Sequence, residues 1–280
     1  MASMRDIQQR ITNVSSTAQI IKAMDSIASS KLHKARAQLI GARPIYDGLL
    51  ETVKRLSRFD EVQDHPYYEK RKVKQSLYIV LSSNQGFAGG YNAGVLNKAL
   101  QHMKGKNEQI LVIGRKGQSF FNKHRKNIIR TVNDMAESQV YHGTEAMAAR
   151  IDIDYRDGKF DEVFLVHTRF ENVLNYTPMV TKLLPLEYEP VALPPVDALH
   201  SPDLHTVLDK TVPLFLHMSL FQAFSDSHTS EQAARMVTMN AAGKNAEELI
   251  DDLYTQYNRE RQAAITQEIS EITGGSTYNK

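Results

Sequence analysis

Fifteen positions near the amino terminus follow one another at alternating steps of four and three residues: Ile7, Ile11, Val14, Ala18, Ile21, Asp25, Ala28, Leu32, Ala35, Leu39, Ala42, Tyr46, Leu49, Val53 and Leu56. A mean spacing of 3.5 residues sustained this long specifies a helix that supercoils against a partner helix, not one lying on a globular core. The predicted helix runs from about residue 4 to residue 58. Its many alanines allow close approach, and Pro44 falls outside the seam, where a slight bend is the expected cost. Asp25 is the one charged seam member. It either fixes register within the pair or reaches an outside partner.

The matching helix is expected at the other end. Pro213 suits a first helical turn, no proline follows it, and Gly274-Gly275 supplies a stop. The predicted second helix therefore covers 213–280. Its seam shifts phase twice: Leu214, Met218 and Phe221, then Met236, Met239, Gly243, Ala246, Ile250, Leu253 and Tyr257, then Ile265, Ile269 and Ile272. Such slips unwind a coiled coil locally, so close pairing is expected along only part of the helix. Charge favours pairing the two ends in antiparallel fashion: residues 1–58 hold ten Lys and Arg against four Asp and Glu, and residues 213–280 hold five against nine. At 1.5 Å per residue each helix would be about 80 to 90 Å long, against roughly 40 Å for the middle of the chain, so the pair is expected to protrude.

Between the helices the period changes. After a loop over 59–72, buried-strand runs occur at 77–81, 110–113 and 163–166, with a further strand at 179–184. Helical stretches are expected at 93–103, 116–123 and 144–156. Strands alternating with helices predict a mostly parallel, Rossmann-like α/β domain over 73–202. Five of the nine prolines lie between residues 185 and 202, which marks its end.

Chemistry is sparse. There is no cysteine, which excludes disulfides, thiolate metal sites and cysteine nucleophiles. The histidines lack metalloprotease spacing, no Gly-x-Ser-x-Gly elbow occurs, and no metal or cofactor is expected. A net charge of +2 argues against wrapping nucleic acid. Residues 1–11 lack the apolar run of a signal peptide, and no run approaches the roughly 20 residues that span a bilayer, so membrane association is expected only through partners. The one phosphate-loop candidate is Gly86-Phe87-Ala88-Gly89-Gly90 after a strand. It matches neither the dinucleotide fingerprint nor a Gly-Lys-Ser/Thr loop and reads as a tight turn, with a nucleotide-binding α/β protein as the alternative.

Several segments carry a family resemblance. Met4-Arg5-Asp6-Ile7, Ile20-Ile21-Lys22-Ala23-Met24 and Ala28-Ser29-Ser30-Lys31-Leu32 resemble the opening helix of the F-type ATP synthase gamma subunits. Ser230-Glu231-Gln232-Ala233-Ala234-Arg235-Met236 and the run from Tyr257 to Ile269 are similar to that family's two carboxyl-terminal signatures. The resemblance implies a non-catalytic shaft inside a ring of three alpha and three beta subunits, with catalysis in beta. It places the α/β domain against epsilon and the c-subunit ring, on the cytoplasmic side of a bacterial membrane. By position it implies contact of Met24 with a beta-subunit loop, with Arg261, Gln262 and Thr266 contributing from the facing helix. It also implies a role in rotational coupling for Glu231 and Arg235, and c-ring contact for Tyr188 and Glu189. Two departures stand out: Asn84-Gln85 replaces the family's usual acidic and basic pair, and Asp25 replaces a glutamate. The chloroplast cysteine insert and a transit peptide are both missing, which favours a bacterial protein.

Overall fold

A computed structural model describes residues 4–189 and 203–277. The chain divides into two compact units, one of Met1–Ser29 with Arg235–Lys280 and one of Ser30–Ala234. Helix α1 (Met4–Leu56) and helix α5 (Leu204–Thr277) each contribute to both.

The larger unit is built on a five-stranded sheet of β1 (Ser76–Leu81), β2 (Glu108–Ile113), β3 (Ile128–Val132), β4 (Glu162–Phe170) and β5 (Tyr176–Leu184), in the order β3-β2-β1-β4-β5. The first four are parallel, and β5 returns antiparallel to β4. Strand β1 is buried at every residue because it has neighbours on both edges and helices on both faces. Its side chains alternate accordingly. Leu77, Ile79 and Leu81 join a core with helix α4 (Val140–Arg156), the end of α1 and the first turns of α5. Tyr78 and Val80 join the opposite core under α2 (Tyr91–His102) and α3 (Arg115–Lys123). Gly114 makes the β2–α3 turn at φ +98°, where a Cβ would stand 2.2 Å from the Ser82 carbonyl oxygen, so only glycine fits.

The expected strands and helices are all present, and the differences have local causes. Strand β3 is an edge strand interrupted by Arg130, too short and polar to show the apolar run of a buried strand. Within the expected loop after α1, Asp60–Asp64 form a 3₁₀ turn, and Val62, His65, Tyr67 and Tyr68 are buried against the sheet core. Helix α5 begins at Leu204, not at Pro213, because Asp203 caps it: its carboxylate accepts from the Thr206 backbone N–H at 2.8 Å and the Thr206 hydroxyl at 2.9 Å. Pro213 then lies inside the helix, which also runs through Gly274-Gly275 to Thr277. The proline-rich boundary at 190–202 lies outside the described residues.

All fifteen seam positions of α1 are buried or half-buried. On α5 the middle phase, Met236 to Tyr257, is likewise covered, whereas Leu214, Ile265 and Ile269 are exposed, so these three are not seam residues. Within the larger unit α5 packs two faces at once. Leu208, Val212, Leu216, Leu220 and Ala223 meet the sheet core, while Met218 and Phe221 meet Ala42 of α1. That double duty is why the sequence pattern slips there.

Candidate functional site

In the smaller unit the two helices run antiparallel: Ile7 and Ile11 pack with Leu253 and Tyr257, and Gly243 lies opposite Ile21. This register sets Met24 near Asn240, half-buried. Arg261, Gln262 and Thr266 are some 20 residues further along α5, about 30 Å at 1.5 Å per residue, and all three are exposed. Met24 and these three residues therefore stand at different levels of the helix pair. Lys22, Asp25, Asn240, Lys244 and Glu247 line a groove of about 360 Å³. There one oxygen of Asp25 is buried without a hydrogen-bond partner.

The glycine-rich loop has a structural task. Ala88 and Tyr91 are buried against Ala234 of α5 and Tyr176 of β5. Gly89 adopts φ +51°, and Phe87, at φ +60°, turns its ring outward with 66% of its surface exposed. Asn92 bonds back to Ser83, whose N–H it accepts at 3.0 Å. Asn84 accepts the Arg115 N–H at 3.2 Å and so caps α3. An uncharged side chain at this position is thus used inside the fold, a role that spacing alone did not reveal. The loop packs beside the segment holding Glu231 and Arg235. Glu231 is half-buried and Arg235 is 6% exposed, one helical turn apart on α5.

At the opposite end of the sheet, Tyr188 donates its hydroxyl to Asp60, which raises the phenol's pKa, and the Glu189 backbone N–H donates to the Ser57 carbonyl at 3.2 Å. Both side chains lie at the surface formed by the segment after β5 and the end of α1. Nearby, Arg156 of α4 pairs with Asp209 of α5 at 2.9 Å, bonds the Tyr67 hydroxyl and lies 4.7 Å above the Tyr67 ring. His65 is buried against Asp209 and His205; burial lowers its pKa more than Asp209 raises it. None of these ties was foreseen, because their members lie far apart in sequence.

Between the sheet and the helices is a cavity of about 240 Å³ bordered by His167 of β4 and Asp226 of α5. Burial drives the His167 pKa down to about 4, with Arg169 adding to the effect, so the imidazole is neutral at pH 7. Burial raises the Asp226 carboxyl pKa, offset in part by Gln222, Arg43 and the Phe170 N–H. Among the described residues no group of three or more His, Asp or Glu could hold a metal ion, and no helix is long and apolar enough to cross a membrane.

With this geometry in place, the comparisons are consistent throughout. The family model described as ATP synthase matches residues 3–277. The ATP synthase gamma chain of Desulforamulus reducens is 36% identical over 279 residues, covering 99% of both chains. That of Moorella thermoacetica is 35% identical over 278 residues with equal coverage. The chain belongs to the ATP synthase gamma chain family. Among solved structures, a chain of the Euglena gracilis mitochondrial ATP synthase, described as OSCP/F1/c-ring, superposes with TM-score 0.69 at 19% identity, covering 98% of this chain and 94% of that one. A chain of the Tetrahymena thermophila mitochondrial central stalk and c-ring gives 0.65 at 21% identity, covering 80% and 99%. These two share the gamma-chain fold.

Proposed function

We propose that this gamma chain is the rotating central stalk of a bacterial F-type ATP synthase, non-catalytic itself, carrying rotation between a c-subunit ring and catalytic beta subunits. The observation that carries this reading is the end-to-end match to gamma chains at about one-third identity. The exposed run at 261–270 supports it, since Ile265 and Ile269 stand 48% and 56% exposed there. Three alpha and three beta subunits would surround the helix pair. Epsilon and the c ring would meet the α/β unit, on the cytoplasmic side of the membrane and peripheral to it.

In this reading the stalk acts by differential contact. An asymmetric pair of helices presents a different face to each beta subunit as it turns, and a beta conformation is favoured only by as much as the stalk binds it better than the alternatives. Met24 and, separately, Arg261, Gln262 and Thr266 are the contacts to the surrounding subunits at two levels of the shaft. Glu231 and Arg235 lie where the helix leaves the α/β unit and serve rotational coupling, and Tyr188 and Glu189 form the foot on the c ring.

The test is co-expression of the chain with alpha and beta subunits of one genome, followed by purification. A complex holding one copy beside three of each, and hydrolysing ATP, supports the stalk reading; purification of the chain alone sinks it. Met24→Lys then places a cation at the half-buried position, and ATP-driven proton pumping per ATP in membrane vesicles is expected to fall. Undiminished pumping removes Met24 from the coupling contacts.

A further inference from the structure

Strand β4 outlasts its parallel neighbour. Pairing of β1 with β4 ends at Val80 opposite Val166, yet β4 continues to Phe170 with β5 on its other edge. From Thr168 to Phe170 one edge of the strand would therefore lie open inside the molecule, and a buried main-chain N–H without a partner is costly. Helix α5 closes it with two consecutive side chains. The Thr168 N–H donates to the Ser227 hydroxyl oxygen at 3.2 Å, and the Phe170 N–H donates to Asp226 Oδ1 at 3.3 Å.

Asp226 does more than cap a strand. The same Oδ1 accepts from Arg43 Nη2 of α1 at 3.1 Å, and that Nη2 also donates to the Phe170 carbonyl at 3.3 Å. Arg43, Asp226 and the Phe170 peptide groups close a ring of bonds that joins both terminal helices and the sheet at one point. The second oxygen, Oδ2, accepts from Gln222 Nε2 at 3.1 Å, one turn back on α5. The Asp226 side chain is only 6% exposed, whereas Arg43 is 41% exposed and reaches it from the surface. Beside the ring lies the 240 Å³ cavity, so close apolar packing does not by itself hold the helices to the strand at this level.

We propose that Asp226 is a positioning residue that clamps α1 and α5 to β4, so that the sheet and both helices turn as one stiff body. The proposal rests on the central-stalk reading. Hydrogen bonds are directional, and three of them meeting at one buried side chain resist a twist that sliding apolar contacts would allow. Arg43 is the partner whose loss should mimic loss of Asp226. Neither residue is among the expected subunit contacts, so the clamp should govern stiffness and leave hydrolysis alone.

The experiment uses the assembled complex of this chain with cysteine-free alpha and beta subunits. The chain has no native cysteine, so Lys104→Cys on the exposed end of the α/β unit gives a unique attachment point for a gold rod. The readout is the angular variance of the rod during the dwell before ATP binding. Asp226→Ala is expected to raise this variance at least twofold, and Asp226→Asn, which keeps the size and an acceptor oxygen, less than that. The ATPase rate should stay within twofold of the parent in both. Unchanged variance in Asp226→Ala overturns the clamp. If that variant fails to assemble, Asp226→Asn and Arg43→Met decide, with parental variance in both overturning the proposal. Failure of both to bind alpha and beta also overturns it in favour of a folding role. A parent complex that assembles but does not rotate sinks the stalk reading itself, a result separate from any variant's stiffness.

Discussion

Helix α5 contains two stretches with opposite surroundings. From Phe215 to Arg235 every residue is buried or half-buried, with Ser219, Gln222, Ser225, Asp226, Ser227, Thr229, Ser230 and Gln232 among the most covered. From Arg261 to Ser270 every residue is exposed, including two isoleucines. Covered polar residues and uncovered apolar ones invert the usual pattern, and each inversion has its own reason. In the first stretch short hydroxyls bond back along the helix, as Ser219 to the Phe215 carbonyl at 2.7 Å and Ser225 to the Phe221 carbonyl at 2.9 Å, so these small polar side chains let sheet and helices approach while their own hydroxyls are satisfied. In the second stretch every side chain is open to solvent, as expected of a surface made for other subunits. The first stretch should therefore govern stability and the second should not.

The largest effect that would break this contrast is expected from Leu216→Ala. Leu216 is 1% exposed in the core shared by the sheet, α4 and α5. Removing three carbons there should cost about 4 kcal/mol, as for fully buried leucines generally. Urea unfolding of the purified chain checks it, and a loss below about 1 kcal/mol would mean that the site collapses freely.

A second effect is set by pH. His167 is neutral in the fold with its pKa down at about 4, while an unfolded histidine binds a proton near 6.5. The unfolded state then holds more protons between these values, so stability rises with pH across that window and is penalised by about 3 kcal/mol below it. His65 and His102, also lowered chiefly by burial, act in the same sense. Asp226, raised by burial, acts oppositely, its contribution falling as pH climbs past the ordinary carboxylate range. His167→Gln should flatten the profile of urea midpoint against pH, and an equally steep profile in the variant would assign the slope to other groups.

Smaller effects come from the helix pair and the helix start. Asp25 sits in the seam with one oxygen buried and unpartnered, so Asp25→Leu should stabilise the purified chain by about 1–2 kcal/mol. A loss of stability instead would show the carboxylate to be paired in solution. Asp203→Ala, which deletes the cap of α5, should cost about 1 kcal/mol, and an unchanged thermal midpoint would mean that the helix is held from Pro213 onward regardless.

These positions also show what the sequence could and could not disclose. The seam of α1 was legible because one helix with one partner keeps one period, and all fifteen positions are covered. The phase slips of α5 were visible, yet their cause, simultaneous packing on a sheet and on α1, is a property of the whole fold. Asp203 was readable in principle as a capping residue, with Thr206 three positions on, but Pro213 was the louder signal. That Met24 and Arg261 stand at different levels of the helix pair could not be read from their motifs, since it follows from the antiparallel register, which couples each residue of α1 to one level of α5. Arg43 and Asp226, 183 residues apart, had no local signature at all.

The smallest expected effect sharpens the contrast most. Ile265→Ser with Ile269→Ser removes two exposed apolar side chains from the end of α5. Surface substitutions away from packed features usually change stability by less than about 0.5 kcal/mol. The purified double variant should therefore unfold in urea like the parent, while the complex with alpha and beta subunits should form less readily in competition with the parent chain. Equal assembly would mean that this surface is not the one those subunits hold. A fall in the purified chain's own stability exceeding about 1 kcal/mol would mean that the end of α5 is covered in solution by a second copy. In that case the parent's unfolding would depend on protein concentration and the variant's would not.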